Sequence, residues 1–97
     1  MKRHSDHIDD LIARVKKDYQ IVMKEVDIHD PETRRTIGEA DLIGIINGEW
    51  HLYEVKSGDN LEKAKKQLFK LKRYLEDYHD IKLFYYSGKL KEVKEIC

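Results

Sequence analysis

The chain of 97 residues supports one small domain, residues 1–97, in which 39% of the residues are charged and 40% hydrophobic. Nineteen Lys and Arg balance nineteen Asp and Glu, which speaks against a generic polyanion binder. A single cysteine, the last residue, excludes a disulfide framework. No apolar run approaches the ~18 residues of a membrane span and the N-terminus has no signal-peptide core, so the expectation is a soluble, cytoplasmic protein without membrane contact. Enrichment in Lys, Glu, Ile and Tyr is a compositional hint of a thermophilic source. The zero net charge hides an asymmetry: residues 1–57 carry nine basic and twelve acidic side chains, residues 58–97 ten and seven. Such a distribution suits a chain that holds a cation at one place and a phosphate backbone around it.

Residues 5–19 predict an amphipathic helix. Ser5 is placed to cap it, Asp6, Asp9 and Asp10 favour the positive end of its dipole, and Ile8, Leu11, Ile12, Val15 and Tyr19 form the buried stripe. His4, if helical, falls near the centre of that stripe. His4, Asp6 and His7 lie close together, but without a second ligand pair they read as a solvated helix start rather than a zinc site. Residues 20–28 alternate as a first strand. Residues 30–35, with the only proline, read as a turn or mobile loop in which Arg34 and Arg35 are either solvated or available to phosphate.

Residues 38–58, GEADLIGIINGEWHLYEVKSG, read as two strands joined at Asn47-Gly48, a strong short-range hairpin signal. A two-residue loop sets Asp41 opposite Glu54 and Glu39 opposite Lys56, all four on one face, with opposed Cβ atoms about 4.5–5.5 Å apart. The rest of that face, and nearly all of the other, is apolar. A sheet covered on both sides therefore turns its charged end into a polar pocket at the rim of the core. The same spelling also suits a half-solvated hairpin with an ordinary Glu39–Lys56 ion pair.

After a break at residues 57–60, with Asp59 or Asn60 as the cap, residues 61–78 predict a second helix. Leu61, Ala64, Leu68, Leu71, Leu75 and Tyr78 form its apolar seam. Lys63, Lys65, Lys66, Lys70, Lys72 and Arg73 fill the remainder, with only Glu62 against them before Glu76. One sign dominating an exposed face points to phosphate contacts by Lys63, Lys66, Lys70 and Arg73. Residues 81–86 form a compact buried strand, and residues 90–96 a short edge strand guarded by lysines. The order is α-β-β-β-α-β with a final strand.

The words Gly38-Glu39-Ala40-Asp41-Leu42-Ile43 and Tyr53-Glu54-Val55-Lys56 resemble the signature of the PD-(D/E)XK nuclease superfamily, closest to small archaeal Holliday-junction-resolvase-like members. The resemblance implies an α/β fold with the PD-(D/E)XK (restriction-endonuclease-like) core, a central mixed sheet flanked by helices. It implies a metal-dependent endodeoxyribonuclease, with junction or branched DNA as its structure-specific substrate. A chain of 97 residues has little surface for choosing a substrate, and a homodimer would present two sites to the two strands. Asp41 and Glu54 supply hard oxygen donors for Mg²⁺ or Mn²⁺. The family implies a further ligand in the carbonyl of Val55, an attacking water held by Lys56, and a helix glutamine at Gln67. Leu71 fills the position of the family's tyrosine in Gln-x-x-x-Tyr. Glu39 is a partner for Lys56 or an additional ligand. Asp9 is the match for the family's acidic residue on the first helix, although capping also accounts for it. The alternative is a catalytically silent nucleic-acid-binding or assembly module with the same fold.

Overall fold

The computed structural model describes residues 3–96; Cys97, on which the disulfide argument rests, lies outside them. The elements are α1 (His4–Val15) with a 3-10 turn (Lys16–Asp18), β1 (Ile21–His29), β2 (Thr36–Ile46), β3 (Glu49–Lys56), α2 (Leu61–Leu75), β4 (Asp80–Ser87) and β5 (Glu92–Ile96). The five strands form one mixed sheet in the order of the chain. All neighbours are antiparallel except β3 and β4, whose parallel pairing is made possible by the crossover through α2. Among the described residues no helix is long and apolar enough to cross a membrane.

The hairpin turn is as expected. Asn47 and Gly48 both take positive φ, 50° and 81°, the conformation that matches the twist of the flanking strands. Its register runs from Ile46–Glu49 to Leu42–Tyr53. Each face of the sheet then buries one helix. On one side Leu68 and Leu71 of α2 pack on Ile43, Leu52, Leu83 and Tyr85. On the other, Ile8 and Leu11 of α1 pack on Leu42, Tyr53, Val55 and Tyr86. Two close approaches fix these layers. A Cβ on Gly44 would lie 2.6 Å from the Tyr19 ring, and one on Gly88 would lie 2.5 Å from His7 Nδ1, so His7 is a packing residue rather than part of a solvated start.

Several boundaries differ from the sequence expectations. Helix α1 starts one residue before Ser5; the backbone N–H of Arg3 donates to Asp6 Oδ2 at 3.0 Å, so Asp6 rather than Ser5 closes the first turn. Helix α2 stops at Leu75, and Tyr78 is 70% exposed beyond its end. Asn60 is its cap, accepting from the Lys63 N–H at 3.2 Å, while Asp59 accepts from the Tyr85 hydroxyl. Residues 30–35 are a closed turn, one of the two readings that the sequence allows. Asp30 Oδ1 accepts from the N–H groups of Glu32 and Thr33, and the Asp30 backbone bonds with both Arg34 and Arg35.

Candidate metal-dependent active site

The C-terminal end of β3 runs between β4, with which it stays paired to Lys56 and Ser87, and β2, from which it has parted at Asp41. The side chain of Asp41 enters the opening and accepts the Val55 N–H through Oδ2 at 2.8 Å. A carboxylate thus takes the place of a ladder carbonyl, and Asp41 is held with 3% exposure. Glu54 follows the same descent. It is 4% exposed, and among the described residues its Oε2 is a buried oxygen with no hydrogen-bond partner.

The electrostatics follow from that burial. Loss of water, then the adjacent Asp41, pushes the Glu54 carboxyl up to about 9, with Lys56 pulling the other way. Glu39 lies at the mouth of the site, more exposed than the other two carboxyls. Its carboxyl is also raised, by burial first and then by Asp41 and Asp27; Asp27 is its register partner on β1. Glu54 and Glu39 are thus both raised, each in part by Asp41, at one end of the sheet, and perturbed groups of this kind cluster at functional sites.

The structure brings Asp41, Glu54, Val55, Glu39, Lys56 and Gln67 to this end of the sheet. It does not pair Glu39 with Lys56. Lys56 instead reaches across to α2, where Nζ donates to Gln67 Oε1 at 2.8 Å, because past Tyr53 the strand is aligned with β4 rather than β2. Asp9, expected in the site, instead pairs with Lys24 of β1 at 3.0 Å, both side chains about half-exposed. The first helix contributes His4 in its place. His4 Nε2 lies 2.8 Å from the Val55 carbonyl oxygen and 3.4 Å from Asp41 Oδ2. The position of His4 over the buried stripe was the signal for this, masked by its place at the helix start.

The donor set fits a small hard cation. It offers two buried carboxylates, one with a bare oxygen, and a backbone carbonyl. Among the described residues no three His, Cys, Asp or Glu side chains converge as a ready-made cage, a pattern compatible with Mg²⁺, which is usually bound by one or two carboxylates and retained waters.

Of the basic residues, Lys63, Lys66, Lys70 and Arg73 are exposed along one side of α2, and Arg35 faces Lys70 across a groove. Arg34 is exposed with φ of 63°, a left-handed conformation unusual for a side chain of its size. Comparison with protein-family models, curated proteins and solved structures gives no match for this chain.

Proposed function

We propose that the chain is a metal-dependent endodeoxyribonuclease with a PD-(D/E)XK core, hydrolysing phosphodiester bonds in junction or branched DNA as a homodimer. The observation that carries this is the buried Asp41–Glu54 pair, with its bare Glu54 oxygen, set beside a lysine that α2 holds in place. Burying two carboxylates together is costly unless a cation joins them, and only Asp41 has a structural partner in the Val55 N–H.

Asp41, Glu54 and the Val55 carbonyl would hold Mg²⁺ or Mn²⁺. When bound, such a cation polarises a phosphoryl oxygen and lowers the pKa of a coordinated water. The remaining work belongs to the chain. Lys56, kept in one position by Gln67, holds the attacking water and offsets the charge that develops on the phosphorus oxygens. Glu39, at the mouth of the site, takes the proton that the water loses. Lys63, Lys66, Lys70 and Arg73 follow the phosphate backbone outside the site.

One observation favours a catalytically silent binding module instead. His4 already hydrogen-bonds with the Val55 carbonyl and stands beside Asp41, closing the polar end of the sheet with the chain's own side chain. The two readings separate on a panel of labelled duplex, single strand, four-way junction and RNA, each with Mg²⁺, Mn²⁺ or EDTA. Metal-dependent cleavage of a DNA member is expected; binding without cleavage on every member would establish the silent module.

A further inference from the structure

A groove leads away from the carboxyl site between α2 and the start of β2. Its inner part, about 150 Å³, is lined by Glu39, Gln67 and Lys70. Its outer part, about 300 Å³, is lined by Arg35, Lys70, Tyr74, Thr33 and Asp30. Ile37 and Lys70 border both, so the trough is continuous, and Gln67, which holds Lys56, stands at its inner end.

The outer part has the chemistry of a nucleotide site. The Tyr74 ring is 41% exposed, and among the described residues no other ring stacks on it. Arg35 and Lys70 are cationic, and among the described residues neither forms a close ion pair. The one acid, Asp30, has Oδ1 committed to the Glu32 and Thr33 N–H groups and its charge partly offset by Arg35. The wall that carries Arg35 is the closed turn, so these groups are presented by a built surface rather than a loose one. The outer volume lies at the low end of the roughly 300–1,000 Å³ of small-molecule pockets.

We propose that the Arg35–Lys70–Tyr74 groove binds one unpaired nucleotide of a DNA strand, the base stacked on Tyr74 and its phosphate on Arg35 and Lys70. This rests on the nuclease reading and narrows its substrate to DNA that has an unstacked nucleotide next to the scissile phosphate. Stacking on an aromatic ring needs a base free of its duplex neighbours, and all bases offer a suitable face.

The test uses the full chain in Ca²⁺ or EDTA with oligonucleotides bearing 2-aminopurine at successive positions, as single strands and within a fully paired duplex. In the wild type, fluorescence is quenched at one position of the single strand. Tyr74→Leu should abolish that quenching and weaken single-strand binding roughly 5- to 100-fold, with duplex affinity changed less than twofold; Tyr74→Phe should retain both. Quenching and affinity unchanged in Tyr74→Leu, with DNA still bound, would overturn the nucleotide site alone. An equal loss on single strand and duplex would also overturn it. Absence of DNA binding by the wild type would overturn the nuclease reading and the groove with it.

Discussion

The Asp41 carboxylate accepts the Val55 N–H at 2.8 Å across the point where β2 and β3 separate. One bond therefore serves two ends: it satisfies a buried donor that the ladder no longer reaches, and it aims a carboxylate beside Glu54. Asp41→Ala should leave that N–H unpaired and lower stability by about 1–3 kcal/mol. Asp41→Asn keeps an acceptor oxygen and should lose far less. Urea titration of the three proteins measures both; equal stability of Ala and Asn variants would show that the bond is not structural.

The Glu54 carboxyl makes stability depend on pH. Unfolded, it ionises near 4.5; folded, near 9. Between those values the folded chain keeps a proton that the unfolded chain has released, so the stabilisation is complete below about 4.5 and is lost as pH rises towards 9. Glu54→Gln should flatten this slope and stabilise the protein at pH 8 relative to wild type. Because a bound cation displaces the proton, Mn²⁺ should raise the Tm of the wild type increasingly with pH. The same Tm rise in Glu54→Gln would place the cation elsewhere.

Lys56 depends on Gln67 for its position. Gln67→Leu should lower the cleavage rate at saturating DNA about tenfold, less than the 10²–10⁴ that a positioned proton-transfer group itself contributes because Lys56 is displaced rather than removed, and leave the DNA Kd unchanged. A change in Kd with an unchanged rate would make Gln67 a DNA contact instead.

The basic side of α2 is read from salt dependence. Lys63→Gln with Lys66→Gln should reduce the log–log slope of duplex binding by about one unit per lysine, since each neutralised phosphate contributes about −0.9. Helix content should stay constant, because Gln and Lys have similar helix propensity. An unaltered slope would show this face to be merely solvated.

Local rules made part of this legible from the sequence. Asn47-Gly48 dictates its own turn, and the alternation on either side of it places Asp41 and Glu54 at one end of the hairpin. The periods of α1 and α2 likewise mark which stripes are buried. What escaped depends on contacts between elements. No periodicity reveals that β2 and β3 part at Asp41, so the sequence sets Lys56 opposite Glu39 although in the structure it meets Gln67. His4 and Asp9 exchange roles because the packing of α1 on β3 puts the helix start, rather than its second turn, over the Val55 carbonyl. Residues 30–35 read equally as a turn or a mobile loop, because the bonds that close the turn run through Asp30 to backbone groups that sequence alone does not position.

The most direct measurement is single-turnover cleavage of a labelled four-way junction by wild type, Asp41→Asn and Glu54→Gln in Mg²⁺, with folding and DNA binding measured on the same samples. Wild type should cut in Mg²⁺ or Mn²⁺ and not in EDTA. Both variants should remain folded, bind DNA as tightly or more tightly because less negative charge faces the phosphates, and lose cleavage by at least about a thousandfold, the order of ~4 kcal/mol of transition-state stabilisation. Cleavage that persists in both variants, or in EDTA, would contradict the account.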